Sequence, residues 1–600
     1  MNIDRRSFIG AAAAGGATAA LVPWFPAWAQ PVSQGITDPI PTVSGSDISL
    51  RIARQTMRVD GKVSRAIGIN GTVPAPLIRL REGQNVRLSV RNDLDEDSSI
   101  HWHGLILPFQ MDGVPGVSFP GIKPRSTFVY EFPVVQSGTY WYHSHSGLQE
   151  QLGHYGPIVI DPKGTDPIAS DREHVVVLSD HSQLSPEAIF RKLKVNPGHF
   201  NMQRQTLGGL LAGKDQPLKE RLDWGKMRMD PTDIADVNGS TYTFLVNGYG
   251  PKDNWTALFR PGERVRLRII NASAMSIFNV RIPGLRLTIV QADGLNVRPV
   301  EVDEFQIAVA ETYDVIVTPT DDRAYTLVAE ANDRSGMGRA TLAPRAGMAA
   351  EVPPLRERPL ANMKDMGMGE MDMSAGAVPA ADCPPEHAKM GHCTPADAAA
   401  PPMDHGAMGQ GAGGMSHSMR DFSVAPQVDK NPGVQSISPM PVDRMGEPGQ
   451  GLENVDHKVL TYHDLESLER NPDVRAPERS LDLHLTGNME RFMWSFDGMK
   501  MSDHHEPIPF VEGERVRINL INDSMMSHPI HLHGHFFELV TGKGDHAPRK
   551  HTVLVQPGGK ASFDFTADAV GDWAFHCHLL YHMEAGMMRV VSVRPRGEQA

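Results

Sequence analysis

The feature that most constrains this chain is a strand pattern that occurs three times, at residues 81–92, 260–271 and 511–522. Each copy has a glycine turn, then alternating polar and apolar residues, and ends on an asparagine. Alternation with a period of two places the apolar side chains on one face of a strand, so each copy predicts a half-buried strand. An Asn-Gly or Asp-Gly pair, which is a strong turn signal, precedes each copy.

A second strand pattern opens at Gly138 in the first copy and at Gly571 in the third, with a looser counterpart at Arg323 in the middle copy. Repetition on this scale indicates repeated domains rather than a solenoid. The 56 glycines and 47 prolines fit many short strands joined by turns, which is typical of β-sandwiches. The sequence therefore predicts an all-β chain with domains at 40–165, 170–345 and 450–597.

The segment between the second and third domains, residues 346–449, has a different composition. It is rich in Met, Gly, Ala, Pro and His, it lacks alternation, and Phe422 is its one aromatic residue. Such a composition buries too little apolar surface to order a chain. We therefore expect a flexible insertion there.

The first 29 residues have the pattern of a targeting segment. Arg5 and Arg6 precede an alanine-rich apolar stretch, and residues 27–29 fit a small-x-small cleavage site. The arginine pair resembles a twin-arginine signal, which predicts export to the periplasm. An ordinary secretory signal and a retained anchor are the alternatives. No other stretch approaches the roughly 20 apolar residues of a membrane span, and the net charge of -13 argues against a nucleic-acid partner.

Eight histidines occupy matched positions in the first and third copies. His101 and His531 lie nine residues after the final asparagine of their copy, and His103 and His533 lie eleven residues after it; His143 and His576 lie five residues after Gly138 and Gly571, and His145 and His578 lie seven residues after them. Each His-x-His pair on a strand presents both imidazoles on one face. Neutral imidazole suits copper, and eight imidazoles would serve two three-histidine ions and one two-histidine ion. Surface strand residues or a structural zinc site, which needs only four ligands, are the alternatives.

The middle copy provides a comparison. The positions nine and eleven residues after Asn271 are Val280 and Ile282, and the stretch 329–331 has no histidine. We therefore expect the middle domain to share the fold but to bind no metal, and to act as a spacer.

The third copy alone adds His528, Cys577, His582 and Met587, at positions where the first copy has Ser98, Ser144, Gln149 and His154. Two histidines, a cysteine and a weak axial methionine are the ligands of a blue-copper electron-transfer site. A buried free cysteine without a metal is the alternative. His576 and His578 are covalent neighbours of Cys577, so electrons would cross few bonds to the eight histidines.

These motifs are similar to the four copper motifs of the multicopper oxidases, and all four occur in order. The chain most resembles the copper-resistance members of the CopA/PcoA type. The resemblance implies three cupredoxin-like Greek-key β-sandwiches, four copper ions per chain, and oxidation of Cu(I) with reduction of O2 to water. It also implies a periplasmic monomer, with other periplasmic or outer-membrane copper-resistance proteins as further partners. A laccase-type phenol oxidase and a copper-sequestering protein are alternatives.

The resemblance also implies a role for each matched residue. The type 2 copper would bind His101 and His531; the type 3 pair would bind His103, His143, His145, His533, His576 and His578; the type 1 copper would bind His528, Cys577, His582 and Met587. His576, Cys577 and His578 would carry electrons, and Asp112 would supply protons, unless it is only a turn residue. A second acid found in some members is missing, because Leu580 and Met583 occupy its positions. His535 is not a ligand in the family.

Ten methionines lie between Met363 and Met419, and thioethers select Cu(I) over harder ions. We expect substrate copper to bind Met363, Met366, Met368, Met371 and Met373 in the insertion, and Met499 and Met501 at the start of the third domain. A low-complexity linker and ordinary loop residues are the alternatives. Cys383 and Cys393 form either a disulfide or two soft copper ligands, and the sequence leaves this open.

Overall fold

The computed structural model describes residues 36–368, 420–503 and 506–597. Strands dominate these residues and form six sheets, so the all-β prediction is confirmed. The expected signal peptide at residues 1–29 lies outside the described residues. Within the described ranges, no helix has the length and apolarity needed to cross a membrane.

The first two sheets belong to the first third of the chain. Their strands are β1 Thr42–Ser44, β2 Asp47–Val59, β3 Lys62–Ile69, β4 Leu77–Arg81, β5 Asn85–Asn92, β6 His101–His103, β7 Thr127–Pro133, β8 Gly138–His143 and β9 Tyr155–Asp161. One sheet has the order β1-β4-β9-β8-β6 and the other has the order β3-β2-β5-β7. The buried alternation along β5 confirms the period-two pattern of the first copy.

The middle third repeats this arrangement. Its strands are β10 Arg172–Ser182, β11 Tyr242–Val246, β12 Thr256–Leu258, β13 Val265–Asn271, β14 Phe278–Arg281, β15 Leu287–Ala292, β16 Leu295–Val302, β17 Glu304–Ile307, β18 Thr312–Val317, β19 Tyr325–Ala331 and β20 Met337–Ala343. The sheet orders are β11-β10-β13-β18-β15-β16 and β12-β20-β19-β14-β17. An excursion between β10 and β11 carries the helices α1 Pro186–Val195, α2 Leu207–Leu211 and α3 Leu218–Met227.

The last third repeats it again. Its strands are β21 Val442–Asp443, β22 Arg479–Asn488, β23 Met493–Phe496, β24 Ile508–Val511, β25 Arg515–Asn522, β26 His528–Leu532, β27 Phe537–Leu539, β28 Arg549–Lys550, β29 Thr552–Val555, β30 Gly559–Thr566, β31 Gly571–Cys577 and β32 Met588–Arg594. The short helix α4, Leu580–Glu584, follows β31. The sheet orders are β23-β22-β25-β30-β27-β28, with β21 beside β30, and β24-β32-β31-β26-β29.

The asparagine that ends each repeated strand explains why the pattern recurs. Asn92, Asn271 and Asn522 are all fully buried. In each copy the side-chain amide donates to carbonyl oxygens of neighbouring loops, and its oxygen accepts from the backbone two residues on. A buried carbonyl without a donor is costly, so this side chain closes the strand and its loops together.

The predicted insertion differs from expectation at its two ends. Residues 346–368 and 420–449 pack against the domains, and Ala361, Met366, Ala425 and Ile437 are buried there. Ser438 donates its backbone N–H to Asp523, so the segment is tied to the third domain. Local composition could not reveal these contacts, because the partners lie far away in sequence. The central part, residues 369–419, lies outside the described residues.

Replacing Asn271 with Ala tests the role of the repeated asparagine in the domain without matched histidines. Two buried carbonyls would lose their donor, and each unsatisfied group costs about 1–3 kcal/mol. We expect the thermal unfolding midpoint of the metal-free protein to fall by about 5 °C. The exposed Asn85 in β5 provides the matched control as Asn85→Ala, which should leave the midpoint unchanged. Equal midpoints for both variants would contradict the role of the buried amide.

Candidate metal centre

Cross-strand pairing brings the matched histidines of each outer domain together. His101 in β6 lies opposite His143 in β8, and His531 in β26 lies opposite His576 in β31. Directly opposite residues have Cβ atoms about 5 Å apart, so each pair of strands presents two imidazoles side by side. The first and third domains then face each other, and the His103 and His531 rings stack at 3.8 Å between centroids.

The eight histidines, called the histidine cluster below, form compact groups across this interface. Nitrogen atoms within 4.8 Å of one another come from three sets: His103, His143 and His578; His145, His533 and His576; and His101, His103 and His531. Three of the four His-x-His motifs contribute their two imidazoles to different groups, whereas His101 and His103 share the group with His531.

Hydrogen bonds fix the outer nitrogens of the cluster. His101 donates Nδ1–H to the Asp112 carbonyl at 2.7 Å, and His531 donates Nδ1–H to the His551 carbonyl at 2.6 Å. The Nε2 atoms of both residues then face the interior without a partner among the described residues. Burial lowers the pKa of His103, His143, His145, His531, His533, His576 and His578. Neutral rings with free lone pairs aimed at one space are the donor set of a metal site.

Two buried carboxylates adjoin the cluster from the first domain. Asp112 Oδ2 accepts from His533 Nδ1 at 2.9 Å, and its Oδ1 lies 3.3 Å from His101 Nδ1. Glu150 Oε2 lies 2.6 Å from His143 Nδ1, although the angle is not that of a regular hydrogen bond. Burial raises the pKa of Glu150. Glu584, the nearest acid after the cysteine, is instead exposed at the end of α4.

The second site, called the Cys577 site below, contains His528, Cys577, His582 and Met587, all with no exposed surface. Cys577 Sγ lies 3.6 Å from His528 Nδ1 and 3.9 Å from His582 Nδ1, and the two Nδ1 atoms are 3.2 Å apart. Cys577 donates its backbone N–H to the Met587 carbonyl. Burial raises the pKa of the thiol, so only a strong Lewis acid would favour the thiolate here.

The equivalent positions in the first domain hold polar side chains that satisfy one another. Gln149 Oε1 accepts from Ser98 Oγ at 2.7 Å and from Ser144 Oγ at 3.0 Å. His154, at the position of Met587, is fully buried. Hydroxyl and amide groups bonded in this way offer no soft ligand. The first domain therefore shares the fold of the Cys577 site without its chemistry.

The middle domain reaches the histidine cluster through a hairpin tip. Asp293 and Gly294, both at positive φ, connect β15 and β16, and a Cβ on Gly138 would lie 2.1 Å from the Gly294 carbonyl oxygen. On the other side, Asp293 Oδ2 accepts from the backbone N–H groups of His551 and Thr552, each at 3.2 Å. The tip of the middle domain thus contacts both outer domains. Since the His551 carbonyl orients His531, the contact with the third domain also supports the cluster.

The side chain of Lys550 adds a buried ion pair to this contact between the middle and third domains. Lys550 Nζ lies 3.1 Å from Asp293 Oδ1 and 3.1 Å from Glu311 Oε1, and all three side chains are nearly inaccessible. Both acids come from the middle domain and Lys550 comes from the third. Removing one partner of a buried ion pair leaves an uncompensated charge, so these two domains are held in a defined orientation.

The middle domain also covers the Cys577 site. His582 Nε2 lies 2.6 Å from Asp236 Oδ2, and burial raises the pKa of Asp236 to about 8. Trp494 stacks on the His582 ring with centroids 3.9 Å apart and a tilt of 22°. Asp236 lies in the excursion, between α3 and β11, so the segment that interrupts the middle sandwich covers this histidine.

The predicted substrate methionines fall into three places. Met366 is buried and Met368 is half-buried, and both pack in an apolar cluster with Met525, which lies three residues before His528. Met499 accepts a weak hydrogen bond from Arg589, and Met501 is exposed near Gly586. Met363 is half-buried beside Trp224. Met371, Met373, Cys383 and Cys393 lie outside the described residues.

Comparison with known proteins assigns the family. Multicopper oxidase profiles match residues 51–165, 214–347 and 475–597. The Copper resistance protein A homolog of Pseudomonas syringae pv. tomato is 49% identical, with 98% of this chain and 99% of the relative covered. Copper resistance protein A of Escherichia coli is 48% identical, with 92% and 93% covered. The chain belongs to the multicopper oxidase family.

Solved structures support the fold. A multi-copper oxidase from Pseudomonas thermotolerans has a TM-score of 0.55 at 20% identity, covering 92% of this chain and 100% of that one. A multicopper oxidase from Campylobacter jejuni has a TM-score of 0.56 at 18% identity, covering 94% and 96%. At this identity the likeness concerns the fold, and it confirms the predicted cupredoxin-like domains.

Copper, which membership of this oxidoreductase family implies, fits both sites. The unpartnered Nε2 atoms of His101, His143, His145, His531 and His578 converge in the interior, and imidazole is a good copper ligand. The Cys577 site adds the thiolate and thioether that copper prefers. A multicopper oxidase with these donors has no need of a further ligand from His535, whose Nδ1 donates to the His533 carbonyl.

Several residues beside these sites carried no sequence signal. Glu150, Asp236 and Asp293 are single acids in loops or turns, and nothing in their local pattern separates them from surface acids. His551 could have been singled out from the sequence, because it is a histidine of the third copy that has no counterpart in the first copy. Its contribution is a backbone carbonyl, which no sequence pattern encodes.

Replacing Asp293 with Asn tests the contact between the middle and third domains of the multicopper oxidase. The variant keeps Glu311 beside Lys550 but loses the charge that binds the His551 and Thr552 amides. We expect the purified protein to hold less copper in the histidine cluster and to show an altered type 2 signal in electron paramagnetic resonance, with the blue absorption largely kept. The exposed acid Asp321 provides the control as Asp321→Asn. Unchanged copper content and spectra would show that the middle domain does not position the cluster.

Proposed function

We propose that this protein is an exported multicopper oxidase that oxidises Cu(I) to Cu(II) and reduces dioxygen to water in copper tolerance. The relatives named for copper resistance support the biological setting. The observation that carries the choice of substrate is the complete burial of His582 behind Asp236 and Trp494.

The proposed enzyme holds four copper ions. His103, His143 and His578 form one three-histidine group, and His145, His533 and His576 form the other, which together suit the type 3 pair. His101 and His531 would hold the type 2 ion, and the Cys577 site would hold the type 1 ion. When bound, copper supplies one-electron oxidation at the Cys577 site and four-electron reduction of dioxygen at the histidine cluster.

The chain itself joins the two sites. Cys577 is bonded through the backbone to His576 and His578, which belong to different three-histidine groups. His576 Nδ1 also donates to the Cys577 carbonyl at 2.9 Å, which shortens the route through one hydrogen bond. Electrons therefore have two short paths out of the thiolate. The balanced reaction takes four Cu(I), one O2 and four protons to four Cu(II) and two waters.

Asp112 is the residue proposed to hold protons for this reaction. Its carboxylate contacts His101 and His533, one from each outer domain, and it is almost fully buried. Glu150, beside His143, replaces the second acid that the sequence lacks after the cysteine. Both acids come from the first domain, so proton supply and electron supply enter the cluster from opposite sides.

Cu(I) suits the covered Cys577 site better than a phenol. A phenol ring transfers electrons efficiently when it contacts the exposed edge of the type 1 histidine, and here that edge bonds to Asp236. His582 has no exposed surface, so an aromatic ring has no place to touch it. A single ion, by contrast, needs only a few ligand atoms near the Asp236 side.

The remaining expectations are part of the same proposal. We propose that residues 1–29 direct export to the periplasm by the twin-arginine route and that the protein acts as a monomer there. Domains at 40–165, 170–345 and 450–597 enclose the catalytic sites, and residues 369–419 collect Cu(I) through their methionines. Other copper-resistance proteins of the periplasm or outer membrane would exchange copper with it.

Oxygen uptake separates Cu(I) oxidation from the other functions. The copper-loaded protein should consume one O2 for every four Cu(I) supplied, and it should turn over a substituted phenol far more slowly. Replacing residues 369–419 with a short Gly/Ser linker should lower Cu(I) turnover and spare the phenol rate. Faster turnover of the phenol would favour a laccase, and copper binding without oxygen uptake would favour sequestration.

Cys577→Ser tests the electron path directly. Serine keeps the size of the side chain but offers a hard oxygen, so the blue absorption and oxygen uptake with every donor should be lost. The matched control is Ser144→Ala, at the same position of the first domain, which should keep both. Persistent Cu(I) turnover in Cys577→Ser would disprove the path through this residue.

A further inference from the structure

The helical excursion of the middle domain carries the most exposed apolar side chains of the described residues. In order along the chain, the six large apolar residues with the highest exposed fractions are Val195, Met202, Leu207, Leu211, Leu218 and Leu222. Their exposed fractions run from 57% to 81%, and the next residue, Val63 in the first domain, reaches 55%. Single apolar residues scattered over a surface are ordinary, but a concentration of this kind marks an interaction surface.

Four of these residues form two pairs on neighbouring helices, and residues four apart lie on the same face of a helix. The two pairs, called the leucine pairs below, are Leu207 with Leu211 on α2 and Leu218 with Leu222 on α3. Hydrogen bonds hold the two helices beside each other: Arg221 Nη1 donates to the Thr206 carbonyl at 3.0 Å, and Gln205 Nε2 donates to Gln216 Oε1 at 2.8 Å. The leucine pairs therefore stand on a fixed support.

The opposite side of α3 already makes the core contact of this helix. Trp224, two residues after Leu222, is buried and packs in a cluster with Ala361 and Met366. Positions two apart point to nearly opposite sides of a helix, so Leu222 faces away from this cluster. The exposed leucines are thus a second apolar surface of the excursion, separate from its core.

The excursion is also basic, although the chain as a whole is acidic. Residues 186–230 contain nine Lys or Arg and five Asp or Glu, whereas the net charge of the chain is -13. Two of the five acids are already neutralised. Asp215 accepts a hydrogen bond from Arg358, and Asp223 accepts one from Lys226 at 2.8 Å.

Two lysines beside the leucine pairs keep their charge uncompensated. Lys214 lies in the turn between α2 and α3, and Lys219 directly follows Leu218. Both lysines are exposed, and among the described residues no acid forms an ion pair with either of them. Positive charge therefore accompanies the exposed leucines.

The residue types favour a lipid surface over a protein partner. Protein interfaces are rich in aromatic residues and Arg and poor in Lys, and Leu and Val are under-represented among the residues that dominate binding. The six exposed residues of the excursion include no aromatic side chain. Leucines beside lysines on short helices are typical of proteins that lie on an anionic membrane, where the leucines enter the acyl region and the lysines meet the phosphates.

We propose that the leucine pairs, with Lys214 and Lys219, bind the surface of an anionic phospholipid bilayer, so that the enzyme associates peripherally with a membrane. The leucines supply apolar contact and the lysines supply electrostatic attraction. The excursion thereby faces the lipid, and the rest of the acidic chain points away from it. This inference is independent of the substrate proposed above, because none of these residues belongs to the histidine cluster or the Cys577 site.

Cosedimentation with vesicles tests the leucine pairs. The copper-loaded enzyme, recovered in its exported form so that residues 1–29 do not contribute, is mixed with vesicles of phosphatidylglycerol and phosphatidylethanolamine, or of phosphatidylcholine alone. We expect binding to the anionic vesicles, and a loss of affinity of about tenfold in Leu207→Ser with Leu211→Ser, because affinity follows the apolar area inserted. The matched control, Val511→Ser with Val570→Ser, replaces two exposed valines of the third domain and should bind like the wild type.

Charge reversal tests the lysines separately. Lys214→Glu with Lys219→Glu should also weaken binding to the anionic vesicles about tenfold, and it should reduce the dependence of binding on salt concentration. The matched control, Lys62→Glu with Lys163→Glu, changes the net charge equally at two exposed lysines of the first domain and should keep most of the wild-type affinity.

Three outcomes would overturn the membrane surface: no binding of the wild type to anionic vesicles, equal binding to phosphatidylcholine, or equal losses in a test variant and its control. A wild-type dimer that Leu207→Ser with Leu211→Ser dissociates would overturn it as well, and would assign the leucine pairs to a second copy of the chain. Oxygen uptake with Cu(I) should be the same in all four variants, so a failure of lipid binding is distinguishable from a failure of the proposed function.

Discussion

The structure depends on the pairing of β26 with β31, because this register sets both metal sites at once. It places His531 opposite His576 and Ile530 opposite Cys577. A shift of one residue would turn every side chain to the other face of the sheet, so neither site would survive it. The matching pair β6 and β8 repeats the first half of this arrangement in the first domain, where Ser144 replaces the cysteine.

Among the described residues, the middle domain contributes no histidine to the histidine cluster, yet it contacts both sites. Its Asp293 holds the segment whose carbonyl orients His531, and its Asp236 contacts His582. The buried Lys550 beside Asp293 and Glu311 makes this contact directional rather than merely apolar. The middle domain therefore does more than the predicted spacer would. It positions His531 of the histidine cluster and shields the Cys577 site.

The sequence predicted the parts of the molecule that repeat. The three strands ending at Asn92, Asn271 and Asn522 can be predicted because period-two alternation and a final asparagine recur at fixed spacing. The histidines were visible for the same reason. By contrast, Asp293 and Asp236 contact residues more than 200 positions away in sequence. Local sequence patterns cannot predict such long-range contacts. The packed ends of the insertion escaped prediction because their burial depends on the third domain.

Metal analysis tests the central claim most directly. We predict four coppers per chain in the purified enzyme, of which two give electron paramagnetic resonance signals and two, as a coupled pair, give none. One visible ion would have the narrow hyperfine splitting of a copper thiolate, and the other would resemble an ordinary histidine-bound copper. A chain that holds zinc, or a single copper, after reconstitution would contradict the assignment of the histidine cluster and the Cys577 site.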